Sequence, residues 1–120
     1  MKIAVTAQGS DLEAEVDSRF GRSRYFIVTD TETQEVSVVD NQVNLNAAQG
    51  AGIQAGKKVV ELGVQAVITG HVGPNAFATL QAGGIDIYNG ATGTVANAIE
   101  QFNTGKLQKA PSADVQGHWM

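Results

Sequence analysis

The chain has 120 residues, 42% of them hydrophobic and 17% charged, with no cysteine and a formal net charge of −4. That length and apolar content suit one core-forming domain. The missing thiols exclude disulfides, cysteine-ligated zinc, thiolate-held iron–sulfur clusters and a cysteine nucleophile, and the acidic balance argues against nucleic-acid binding.

Residues 2–7 (KIAVTA) read as a strand ending at Gly9, and they begin without a basic n-region and long apolar run, so no signal peptide is expected. No stretch approaches ~18 apolar residues, so no membrane span is expected and the cytoplasm is the default location. Residues 8–23 are polar with little periodicity, a long loop of the kind that more often carries function than structure. Tyr25–Thr29 and Glu35–Asp40 are β-rich runs around the turn 30–34 and read as a hairpin. A polar stretch, 41–49, precedes a helix starting near Gly50, with Ile53, Val59, Val60 and Leu62, together with small Ala55 and Gly56, as its expected buried stripe and Gly63 as its stop.

Gln65–Thr69 reads as a short buried strand, and Pro74 suits the first position of a helix over Pro74–Ala82. Ile85–Tyr88 is the next strand. Thr94 is the expected N-cap of a last helix carrying Val95, Ile99 and Phe102 and closed by Gly105. Residues 106–120 show no period. Strands 1, 4 and 5 alternate with helices and should be parallel, joined by right-handed crossovers. With the hairpin they predict a three-layer α/β domain with a five-stranded mixed sheet and three helices.

The charge is unevenly placed. Arg19, Arg22 and Arg24 are the only arginines, and the window 17–24 holds them against one aspartate, a net +2 that leaves −6 elsewhere. Arginine's planar fork suits capture of anions, although a short basic loop need carry no ligand. In such sheets ligands bind at the carboxyl ends of the parallel strands, here Ala7-Gln8-Gly9, Thr69-Gly70-His71 and Tyr88-Asn89-Gly90. Helix N-termini follow at Gly73-Pro74 and Gly93-Thr94, with unpaired N–H groups and a positive dipole end. Backbone amides, arginine and His71 together describe a shallow anion site. His71 has three readings: a hydrogen-bonded loop histidine, a metal or cluster contact, or a general acid–base. His118, beside Trp119, lies in a tail that is either flexible or folded over the site.

Enzyme motifs are weak. There is no G-x-S-x-G elbow, no Walker loop, and no convincing carboxylate set among Asp17, Asp30, Asp40 and Asp86 for a nuclease. Gly50-Ala51-Gly52-Ile53-Gln54-Ala55-Gly56 imitates a dinucleotide fingerprint. It follows a polar stretch, not a strand, and no ribose-binding acid ends the next strand, so close helix packing is the better account.

Val16-Asp17-Ser18-Arg19-Phe20-Gly21-Arg22, followed by Phe26 and Asp30, resembles the D-x-R-F-G-R signature of the dinitrogenase iron–molybdenum cofactor biosynthesis family. Gly50-Ala51-Gly52-Ile53, Thr69-Gly70-His71-Val72-Gly73-Pro74-Asn75-Ala76-Phe77 and Gly93-Thr94-Val95 extend the likeness over residues 1–107, leaving 108–120 as a tail. The resemblance implies a ribonuclease-H-like fold and a non-enzymatic carrier of an anionic metal–sulfur cluster. The cluster would be a molybdenum-containing sulfide, of molybdenum–iron or molybdenum–copper type, held non-covalently. It is similar to the orange proteins, a small stand-alone branch that holds a molybdenum–copper sulfide cluster. The strand-end placement and these motifs together give the candidate contacts as Arg19, Phe20, Gly21, Arg22, His71, Gly73, Asn75, Gly93 and Thr94, with His71 as a metal contact. His118, outside the match, is a further metal candidate to which nothing carries over from the family. Asp17 is expected to orient an arginine. A cluster donor or acceptor protein is the implied partner. The alternative is a small nucleotide- or phosphate-binding regulatory module on the same glycine loops.

Overall fold

Alternating apolar residues in a strand send their side chains to opposite faces of a sheet, and a strand buried on both faces needs a layer on each. The first strand meets that condition: every residue from Ile3 to Ala7 is buried. A computed structural model, describing residues 1–41 and 51–113, shows how the layers are supplied. The strands are β1 (Lys2–Ala7), β2 (Tyr25–Asp30), β3 (Val36–Asp40), β4 (Ala66–Ile68) and β5 (Asp86–Tyr88). The helices are α1 (Ala51–Glu61), α2 (Pro74–Ala82) and α3 (Val95–Asn103).

The sheet order is β3-β2-β1-β4-β5. β2 pairs antiparallel with β1 and β3, whereas β4 is parallel to β1 and β5. Val5, at the centre, lies opposite Ile27 on one side and Ile68 on the other. Ala4, Phe26, Val28, Val67 and Ile87 pack against α1 and α2 through Ala55, Val59, Ala76 and Leu80. Ile3, Val5, Ile27, Ala66 and Ile68 face α3 through Val95 and Ala98. The expected three-layer α/β arrangement with a mixed sheet is therefore present.

Two expectations are corrected. Of the expected stripe of α1, Ala55, Gly56 and Val59 are buried, joined by Ala51 and Gly52, whereas Ile53 and Leu62 are half-buried and Val60 is exposed. The reason is close approach to α2. A Cβ on Gly52 would lie 3.2 Å from the Ala76 Cβ, and one on Gly56 would lie 2.9 Å from the Thr79 Cγ2. These glycines are a helix contact, as anticipated, while Gly50 lies outside the described residues. The second correction concerns the tail. Lys109 bridges Tyr88 in antiparallel sense, and Ala110, which is buried, donates its N–H to Ile87 O at 2.7 Å. Lys109 also pairs with Asp86 at 2.9 Å. A pairing this short leaves no period in the sequence. It directs the chain away from the carboxyl ends of the parallel strands. His118 and Trp119 lie outside the described residues. No described helix is long and apolar enough to cross a membrane.

Candidate functional site

The loop after β1 is an ordered strap across the carboxyl ends of the strands. Glu15 lies opposite Thr94, Val16 opposite Ala7, and Arg19 beside His71. Val16 N donates to Gly93 O (2.9 Å), Asp17 N to Thr6 O (3.0 Å), His71 N to Ser18 O (2.8 Å) and Phe20 N to His71 O (3.2 Å). Residue types explain the course. Val16 and Phe20 are buried, whereas Ser18 and Arg19 point outward. Gly70 makes the crossing feasible, since a Cβ there would sit 2.7 Å from Ser18 Cα and 2.8 Å from Ser18 O.

Under the strap lies a polar network that sequence reading missed. Thr6 Oγ1 donates to Asp17 O at 2.8 Å and lies 2.9 Å from Thr69 Oγ1, from which it can accept. Ser23 Oγ accepts from Ala7 N (3.1 Å) and donates to Tyr25 O (2.7 Å). Asn41, fully buried, donates from Nδ2 to Ser23 O at 2.7 Å and from its backbone N to Arg24 O at 2.9 Å. The usable signal was a threonine at the same end of two otherwise apolar strands. Asp17 is only 8% exposed, and its Oδ1 accepts from Arg19 N at 3.0 Å. Burial pushes its carboxyl above the ordinary 3.8, while the Arg19 N–H, the Arg19 charge and the Arg24 backbone pull the other way.

Arg19 and His71, far apart in sequence, are brought side by side, and both are exposed. Gly21 is buried against the first turn of α1, where a Cβ would meet Gly52 N and Cα at 2.9 Å. Gly52 in turn touches Ala76 in the first turn of α2. The arginine loop and the starts of α1 and α2 are thus one assembly. Gly73 is the extended N-cap of α2, without a side-chain cap, followed by Pro74. Asn75 is exposed in that first turn and Arg22 is half-buried. Phe20 does not line the surface: it has no exposed area and packs 5.6 Å from the Phe26 ring in the core. Arg24 departs from the group, lying over the Tyr25 ring at 5.6 Å.

Gly93 and Thr94 also serve the fold. Gly93 has φ +84 and gives its carbonyl to Val16. The first turn of α3 is already satisfied: Val95 N donates to Ala14 O, Ala96 N to Leu12 O, and Asn97 N to Thr94 Oγ1 at 3.1 Å. The expected donors at that helix start therefore have protein partners, supplied by the strap's own approach.

Among the described residues the result is an exposed cationic shelf. Openings of about 270 and 360 Å³ around Thr29, Asp30 and Val36 lie at the far end of β2. Among the described residues no three His, Asp or Glu side chains gather as a metal site. Such a surface suits an anion that brings its own inner ligands better than a bare divalent ion.

The family model described as dinitrogenase iron-molybdenum cofactor matches residues 1–105. The chain belongs to the dinitrogenase iron-molybdenum cofactor family. The apo orange protein from Desulfovibrio gigas is similar at 38% identity and TM-score 0.93, with 95% of this chain and 96% of that one covered. An NMR structure of a candidate NifB protein from Thermotoga is 38% identical with TM-score 0.84, covering 97% and 98%. An uncharacterised protein of Methanocaldococcus jannaschii is 30% identical over 112 residues, 91% of each chain. The match to the dinitrogenase iron-molybdenum cofactor family takes in the strap, Gly70-His71 and all three helix starts, and so spans every element of the shelf.

Proposed function

We propose that this protein is a non-enzymatic carrier for an anionic molybdenum-containing sulfide cluster, of molybdenum–copper or iron–molybdenum type, held without covalent attachment. The observation that carries the reading is the pairing of Arg19 with His71 on the strap, beside Gly21 and the uncapped start of α2. Membership of the family and the likeness to the apo orange protein support it. A chain without cysteine can offer such a cluster cationic side chains, N–H donors and imidazole, while the cluster supplies its own sulfide. Charge-assisted hydrogen bonds contribute about 1.5–3 kcal/mol each, so three or four reach roughly the 8 kcal/mol of micromolar binding. The expected contacts are Arg19, Arg22, His71 and the Gly73–Asn75 turn, and the expected partner is a cluster donor or acceptor protein. The alternative nucleotide reading loses its best motif, because Gly52 and Gly56 are filled by α2. We read the fold as ribonuclease-H-like; the order β3-β2-β1-β4-β5, with only β2 antiparallel to its neighbours, supports that.

Anaerobic titration with tetrathiomolybdate and Cu(I) should give new visible absorption and shift the amides of residues 18–22 and 71–75. Absence of a visible band, or shifts confined to other residues, overturns the reading.

A further inference from the structure

We infer that Asp17 is the positioning residue of this shelf, setting where Arg19 stands by gripping the loop's backbone. The inference rests on the carrier reading for what the shelf holds. A carboxylate beside an anion site is unfavourable on charge alone, so its place there needs a geometric reason.

The contacts supply one. Asp17 is tied down at its own backbone, N to Thr6 O at 3.0 Å and O from Thr6 Oγ1 at 2.8 Å. Its carboxylate takes the N–H of Arg19 at 3.0 Å. One residue thus ties the start of the arginine loop to β1 through Thr6. Buried and turned inward, it does not face the surface where Arg19 and His71 lie. Arg19 N is fixed by a group that is itself fixed to β1.

Charge and geometry make opposite predictions. If Asp17 acted only through its charge, any neutral replacement would tighten anion binding. With Asp17 as the loop's anchor, Asp17→Ala loses the grip and should weaken binding of the tetrathiomolybdate–copper cluster about tenfold, even though a negative charge is removed. Asp17→Asn keeps an acceptor for Arg19 N and should bind within about threefold of wild type, or tighter.

Amide exchange in the absence of cluster gives an independent readout. The Arg19 N–H should exchange faster in Asp17→Ala and stay protected in Asp17→Asn. If wild type binds no cluster the carrier reading fails, and the exchange rates still decide the anchor. Folded Asp17→Ala with unchanged exchange at Arg19, or with affinity equal to or above wild type, overturns the inference. Should Asp17→Ala not fold, wild type and Asp17→Asn decide: an Arg19 N–H protected from exchange in both supports the anchor, and one that exchanges freely in either overturns it.

Discussion

Gly70 gives the sharpest test of the strap. It is not held at a positive φ, so alanine is allowed there by its own backbone, and any cost must come from what it meets. A Cβ at 70 would lie 2.7 Å from Ser18 Cα, 2.8 Å from Ser18 O and 3.1 Å from Ser18 C. Those are backbone atoms that cannot rotate aside, so the strap must lift. Lifting it strains both bonds between the strap and His71, Phe20 N→His71 O and His71 N→Ser18 O. At about 0.5–1.5 kcal/mol net for each, with overpacking of about 1 kcal/mol or more, Gly70→Ala should cost about 2–4 kcal/mol. For a chain of this size that is a fall in Tm of about 8–16 °C. Gly63→Ala is the control. It has φ +75 and no neighbour within 4 Å, so it pays only the left-handed conformation, about 1 kcal/mol. Calorimetry ranks the two, and amide shifts locate the damage. If Gly70→Ala melts within 3 °C of wild type with Arg19 and His71 amides unmoved, the strap does not depend on that crossing.

Phe20→Ala should destabilise by about 3–5 kcal/mol, because its ring is wholly buried against Phe26; a loss below 1 kcal/mol in urea unfolding would place Phe20 outside the core. Thr94→Ala removes the acceptor of Asn97 N and should cost about 1 kcal/mol while leaving cluster binding within twofold of wild type; a large loss of affinity with little loss of stability would return Thr94 to the shelf. The pH dependence tests Asp17. Its folded carboxyl titrates above the ordinary 3.8, so between that value and the raised one the folded chain binds more protons than the unfolded. Its contribution to stability therefore falls as pH rises through that window. Wild type should gain on Asp17→Asn as the pH drops from 7 to 4, read as the difference in urea midpoints; a constant or opposite difference refutes the assignment.

Elements whose order is local were legible. α2 begins at Pro74 and ends at Gly83, and α3 is capped by Thr94, because proline, glycine and a capping hydroxyl act within one turn. The parallel strands were legible for the same kind of reason, as short apolar runs between helices. The strap was not. Its order comes from single-residue bridges to three separate elements, at Ala7, His71 and Thr94, and isolated bridges impose no repeat on a sequence. The α1 face was legible in part: Ala55, Gly56 and Val59 belonged to the expected stripe, but hydrophobicity also favours Ile53 and Val60, where close packing against α2 selects Gly52. The arginine cluster was visible, yet only the fold separates Arg19, beside His71, from Arg24, over Tyr25.

The strap also changes how a ligand could sit. In open α/β sheets the crevice beyond the strand ends normally receives the ligand; here Val16 and Phe20 fill it with buried side chains. A cargo on the proposed shelf rests above that layer, against exposed Arg19 and His71, where an acceptor can reach it without the fold opening. On the carrier reading, micromolar affinity with an association rate of about 10⁶ M⁻¹s⁻¹ would give release at roughly 1 s⁻¹. A deep, thiolate-lined pocket would hold a cluster far longer. On that same reading, a chain without cysteine and with a filled crevice would hold a cargo that can be given up.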